Sequence, residues 1–205
     1  MAYNSQKRKL KAGETRRRIF ESAVGLFPKN GYEKTSVDSI VEDAGVAKGS
    51  FYVHFKSKDA VLAAIFVEYV SNVDADYKGF VEALPKNTPA SNLIILLAGK
   101  IADVIVENIG GEKMRAVYKG QLSQDLSKGA VMDYNREMYR LFKKLVEKGI
   151  IAGEFKNNFA ADAVARHFVS ALRGVTYEWC MRYHNFDYKA QATETFKILL
   201  EGINK

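Results

Sequence analysis

Gly31 to Lys58 reads GYEKTSVDSIVEDAGVAKGSFYVHFKSK. Two short helical patterns stand on either side of a glycine. Val37, Ile40, Val41 and Ala44 recur at i, i+3, i+4 and i+7, which is one face of a short helix. Ser36 precedes that face and can cap its free N–H groups, and Thr35 with Asp38 offers a second capping arrangement. Gly45 supplies the turn, where positive φ costs a glycine little. Val46 is the apolar plug between the helices. The next helix is expected over Ala47–His54, with Phe51 and Phe55 at i and i+4 packing inward. That leaves Lys48, Gly49, Ser50, Tyr52 and Val53 facing outward. Ser57 is placed to cap a further helix from Lys58, and a helix N-terminus beside a lysine is a natural seat for phosphate. A basic, hydroxyl-bearing second helix after a glycine turn is the layout of a helix-turn-helix that reads the major groove of DNA.

The positive charge lies on the same end of the chain. The 205 residues carry a formal charge of +7. Residues 1–58 hold 12 Lys/Arg against 6 Asp/Glu, while residues 59–205 hold 19 against 18. Lys7, Arg8, Lys9 and Lys11, with Arg16, Arg17 and Arg18, supply much of the excess, as attraction to phosphate requires.

Residues 13–66 resemble the DNA-binding domain of the TetR (tetracycline repressor) family of transcription regulators. The residues that carry the resemblance are Phe27, Gly31-Tyr32, Ser36, Ile40, Ala44-Gly45-Val46, Lys48-Gly49, Tyr52, His54-Phe55 and Lys58. Two positions depart from the family pattern. Ala47 stands where Ser or Thr is usual, which removes a side-chain cap worth about 1 kcal/mol. Pro28 falls near the end of the first helix, so that helix is expected to end or kink at Phe27. The candidate DNA-contacting set is Ser36, Ala47, Lys48, Gly49, Ser50, Tyr52, Val53, His54, Lys56 and Lys58.

Beyond Lys58 the pattern stays helical. Helices are expected over Lys58–Leu84, Ala90–Asn108, Glu112–Leu126, Gly129–Lys148, Ala160–Tyr183 and Tyr188–Glu201, with PKNTP (85–89) as a loop and IIAGEFKNNF as a partly extended connector. The expected fold is all-α with nine helices. Residues 1–57 form the helix-turn-helix domain, and residues 58–205 form a helical effector-binding and dimerisation domain. Ala163, Ser170, Ala171 and Gly174 make a small-residue side on the eighth helix, with Phe196, Leu199, Leu200 and Ile203 on the ninth beside it. The resemblance implies a homodimer through these two helices. It also implies operator DNA as partner and a small-molecule effector. The aromatic content of the middle helices suits a largely apolar or aromatic molecule, with Phe66, Tyr69, Tyr118, Phe142, Phe168 and Tyr177 as candidate pocket residues.

Composition narrows the remaining classes. One cysteine allows no intramolecular disulfide and fits a reducing cytoplasm. No apolar run approaches the ~20 residues of a membrane span, the basic N-terminus lacks the apolar segment of a secretory signal, and no Gly-rich phosphate loop or zinc cluster appears. No cofactor is expected. Cys180 with His184, at i and i+4, is the one enzyme-like pair, and it defines the alternative of a thiol-based sensor or enzyme. A DNA-binding protein without an effector is the other. The reading adopted is a regulator, a repressor by resemblance, and not an enzyme.

Overall fold

The computed structural model describes residues 2–122, 136–182 and 185–205, apart from the side chains of 2–9, 70–72 and 119–122. The described residues form nine α-helices: α1 Ala2–Asn30, α2 Val37–Asp43, α3 Lys48–His54, α4 Lys58–Ala83, α5 Ala90–Asp103, α6 Gly111–Leu122, α7 Glu137–Ile151, α8 Ala161–Met181 and α9 Tyr188–Ile203. They contain no strand, and a single antiparallel bridge pairs Phe155 with Asn204. The all-α expectation holds. The sixth helix beyond Leu122 and the seventh before Glu137 fall outside the described residues.

α1, α5 and α7 end differently from expectation, each for a local reason. α1 runs through Pro28 to Asn30. A proline in the last turn removes one internal bond, the one that the carbonyl of Val24 would accept. Val24 is exposed, so water can serve that carbonyl. Phe27 is held by its edge contact with the Tyr32 ring, 5.2 Å between centroids. α5 does not run on as an α-helix to Asn108. At Val104 it changes to a π-helical segment, Val104–Ile109, closed by the Gly110 N–H donating to the Ile105 carbonyl at 2.9 Å. α7 does not stop at Gly149. It continues to Ile151, and Gly149 serves close packing instead: a Cβ there would lie 2.2 Å from the buried Phe155 ring.

The chain forms two compact units. The first contains α1–α3, α4 as far as Glu68, and α6 from Ala116. Its core joins Ile19, Ala23 and Phe27 of α1 to Ile40 and Val41 of α2, Phe51 of α3 and Val61 of α4, with Ala116 of α6 packed among them. The second contains α4 from Tyr69, α5, α6 to Arg115, and α7–α9. Leu93, Leu97 and Ile101 of α5 are buried there, as are Leu145 of α7, Leu172 of α8 and Leu200 of α9. At its centre Phe168 and Phe196 stack at 5.1 Å, and Phe142 tilts against both at 5.8 and 5.4 Å. α4 and α6 are continuous helices shared by the two units.

Candidate nucleic-acid interface and effector unit

The helix-turn-helix is assembled by local polar bonds around an apolar seam. The Ser39 N–H donates to Ser36 Oγ at 3.0 Å, and the Ser36 N–H donates to Ser39 Oγ at 3.0 Å. Ser36 is therefore the N-cap, in a capping box closed by Ser39. The Thr35–Asp38 alternative is not used: Thr35 is buried and its hydroxyl donates to the Gly31 carbonyl. Because Ser36 is exposed and its only packing role is the cap, Ser36→Ala is expected to cost about 1 kcal/mol, read as a lower urea midpoint. An unchanged midpoint would mean that the cap contributes nothing.

Gly45 takes φ +61 in the turn, and the Arg18 guanidinium donates to its carbonyl at 3.1 Å. Arg16 lies over the Phe55 ring at 4.8 Å, and Arg17 pairs with Glu21 at 3.0 Å. Arg16, Arg17 and Arg18 thus make contacts inside the unit, although their charges still add to its positive field. Ala47 is the N-cap of α3 and makes no side-chain capping bond, as the sequence implies.

α3 presents Lys48, Gly49, Tyr52 and Val53 to solvent, with Ala47 before it and Lys56 after it. Val53 is 79 % exposed, unusual for an apolar side chain in a small helical unit and suited to a thymine methyl. Ser50 and His54 are half-buried. The Lys48 ammonium bonds Asp38 of α2 at 2.7 Å, and that bond raises its pKa above the ordinary lysine value. Lys58 is not a bare phosphate contact. Its ammonium donates to the Tyr32 carbonyl at 2.7 Å and sits 4.2 Å above the Tyr32 ring, while the Tyr32 hydroxyl bonds the Asp59 carboxylate. This reciprocal clamp fixes the α4 N-terminus, whose first turn Ser57 caps by accepting from the Ala60 N–H at 3.1 Å.

The six aromatic candidates are divided between the two compact units. Phe66 and Tyr118 belong to the first unit, and Tyr69, Phe142, Phe168 and Tyr177 to the second. Phe142 and Phe168 are sealed in the phenylalanine cluster. Tyr177 is 48 % exposed on the outer side of α8.

That outer side is a stripe. Ala163, His167, Ser170, Gly174, Tyr177 and Met181 are all exposed and follow one another at intervals of four and three. Ala171 is half-buried to one side of it. On α9, Phe196 and Leu200 point into the core rather than outward, because the Phe168 and Phe142 rings occupy them. Ile198, 62 % exposed, and Gly202 are among the exposed residues there.

Sequence reading missed a buried polar group in the second unit. Arg136, at the N-cap of α7, donates from Nη2 and Nε to the two oxygens of Asp74 on α4, at 2.8 and 3.2 Å. Thr176 of α8 shares a hydrogen bond with the Tyr188 hydroxyl of α9 at 2.7 Å. A buried aspartate one turn before a tyrosine was the available local signal. Its arginine partner lies 62 residues away, and sequence offers no rule for pairing them.

Cys180 is fully buried, and burial pushes its thiol up to about 11, against the lowering effect of Arg115. At neutral pH it is a thiol and not the thiolate that a nucleophile or redox sensor needs. His184 lies outside the described residues. No group of three or more metal-ligating side chains occurs among the described residues. No helix among them is long and apolar enough to cross a membrane.

Residues 19–65 match the family model for bacterial regulatory proteins of the tetR family. The chain is 25 % identical over 203 residues to the HTH-type transcriptional regulator AcrR of Shigella flexneri, covering 96 % of this chain and 93 % of that one. It is 24 % identical over 191 residues to the fatty acid metabolism regulator protein of Bacillus subtilis, covering 91 % and 94 %. Residues 19–65 are thus a DNA-binding domain of the tetR family, and the full-length likeness to regulators of that family runs through the rest of the chain. TetR-family regulators bind operator DNA as dimers and respond to small-molecule effectors. The TetR fold extends through the second unit: the Thermus thermophilus FadR repressor, solved with lauroyl-CoA, superposes with a TM-score of 0.70 at 20 % identity, over 91 % of this chain and 94 % of that one.

Proposed function

We propose that this TetR-family chain is a ligand-responsive repressor that binds a palindromic operator as a homodimer and leaves it when a small molecule binds. DNA binding is assigned to residues 1–57, and effector binding and dimerisation to residues 58–205. The observation that carries the reading is α3: a seven-residue helix after a glycine turn, with Lys48, Tyr52 and Val53 exposed, on the end of the chain that holds nearly all the excess positive charge. Lys48, Tyr52 and Lys56 contact the DNA, with Ser36, Ala47, Gly49, Ser50, Val53 and His54 around them. Lys58 acts by holding the α4 N-terminus. The α8 stripe packs on its copy in a second subunit, with Ile198 of α9 beside it. A twofold pair would set the two recognition helices roughly 34–36 Å apart, one DNA turn, or a multiple of that.

The link between the two activities follows from connectivity. α4 and α6 each run unbroken through both compact units. A ligand that favours one setting of the second unit can therefore bias the first, provided that it binds the two settings unequally. Ligand and operator then weaken one another by the same factor.

A gel shift tests the DNA reading, using any inverted repeat found upstream of the coding region. Tyr52→Phe and Lys56→Ala should both weaken binding without lowering the melting temperature, because both side chains are exposed. Lys56→Ala should also flatten the dependence of log affinity on log salt by roughly 0.9 per phosphate contact removed, about twice that for a dimer. Affinity and slope unchanged in both variants would take α3 out of the interface.

A further inference from the structure

Buried hydroxyls in proteins are almost always hydrogen-bonded. The buried polar side chains of this chain obey that rule. Ser22 donates to the Ile40 carbonyl, Thr35 to Gly31, Thr176 to Leu172, and Asp74 is held by Arg136. The Tyr188, Tyr139 and Tyr32 hydroxyls are paired as well. Tyr77 differs. It is only 3 % exposed, and among the described residues its hydroxyl makes no hydrogen bond. It sits on α4 in the second unit, one turn after Asp74 and on the same face of the helix. Its hydroxyl pKa is raised above the ordinary tyrosine value, first by burial and then by the Asp74 charge, while Arg136 acts in the opposite direction.

We infer that the Tyr77 hydroxyl is the polar anchor of the effector site, and that the effector is an uncharged, largely apolar molecule carrying a hydroxyl or carbonyl oxygen. This rests on the reading of the second unit as the effector-binding part. A phenol both donates and accepts, so it can serve a carbonyl or a hydroxyl equally well. The adjacent ion pair disfavours charged ligands. An anionic ligand drawn to Arg136 would compete with Asp74 for the guanidinium and bring a second negative charge beside that buried carboxylate. A cationic ligand drawn to Asp74 would bring a second positive charge beside Arg136. Both oxygens of Asp74 accept from Arg136, so the two charges offset one another. A neutral oxygen on an apolar body satisfies Tyr77 and leaves the pair intact.

The test uses matched probes: dodecanol against dodecanoate, naphthol against naphthoate, and lauroyl-CoA. Binding to the full-length protein is followed by calorimetry, for the parent and for Tyr77→Phe. The uncharged probes should bind the parent better than their carboxylates, and Tyr77→Phe should weaken them by about tenfold while leaving the carboxylates unaffected. Because no described residue bonds the hydroxyl, the melting temperature of Tyr77→Phe should be no lower than that of the parent. A lower melting temperature would reveal a structural partner and overturn the inference. So would tighter binding of the carboxylates or lauroyl-CoA, unaltered alcohol binding in Tyr77→Phe, or no binding by either alcohol. Operator release by the same probes separates the two claims. Release by lauroyl-CoA independent of Tyr77 overturns the anchor and leaves the repressor reading standing. Tyr77-dependent binding without release supports the anchor and counts against ligand control.

Discussion

Gly174→Arg should convert the dimer to monomers and weaken operator binding by about a hundredfold or more, because the second half-site contact is no longer intramolecular. The substitution is unusually clean within one subunit. A Cβ on Gly174 would meet nothing within 4 Å, so a side chain there starts into open space. Replacing glycine in a helix interior should even favour α8, by roughly 0.5–1 kcal/mol. In a twofold pair, however, the stripe residue meets the same stripe, and a bulky cation would face its own copy. Sedimentation velocity at micromolar protein gives the assembly state, and a gel shift gives the affinity. A variant that is still dimeric would move the interface away from the Ala163–Met181 stripe. A monomer with undiminished operator affinity would remove the need for a dimer altogether.

Phe196→Ala should be the most destabilising single truncation in the second unit, at about 3–5 kcal/mol. The ring is completely buried, stacked on Phe168 and tilted against Phe142, so its loss opens a void bounded by two other rings that cannot collapse into it. That is a large part of the total stability of an ordinary domain, roughly 5–15 kcal/mol. Urea unfolding followed by far-UV circular dichroism gives the measurement. Parent and variant must be compared at one protein concentration, since dimerisation adds to apparent stability. An unfolding midpoint equal to that of the parent would mean that the cluster is not the keystone of this unit. The DNA-binding unit has its own core and makes a contrasting control, since its Phe51 and Phe55 rings take no part in the cluster.

What the sequence made legible is what neighbouring residues decide among themselves. The capping serine, the glycine turn and the inward pair Phe51 and Phe55 all act within a few positions of one another, and α2 and α3 fall within one residue of their expected ends. The long helices were equally readable, because apolar periodicity over many turns leaves little choice. The misreadings share a different cause. Pro28 was taken as a stop because its local effect is adverse, yet one lost bond at an exposed carbonyl is a small cost beside the packing of Phe27. The helix expected to end at Lys148 runs on to Ile151, and Gly149 answers to Phe155, a side chain that arrives from the following turn. Lys58 stays in the candidate set, but a carbonyl and a ring 26 residues earlier hold its ammonium, a contact that sequence does not reveal. The Asp74–Arg136 pair was not foreseen, and Tyr77 was only one aromatic among many. Their meaning comes from which groups the fold brings together and which it leaves without a partner.

The segment Val104–Ile109 winds with one more residue in each hydrogen-bonded loop than the α-helix before it. The number of residues between α5 and the Gly110 turn is therefore not set by helical rise alone. The same span could be bridged by a chain one residue shorter that kept ordinary α winding throughout. Against a relative that keeps α winding here, a single-residue gap at this place would mark a change of winding, while the positions on either side of it would remain equivalent.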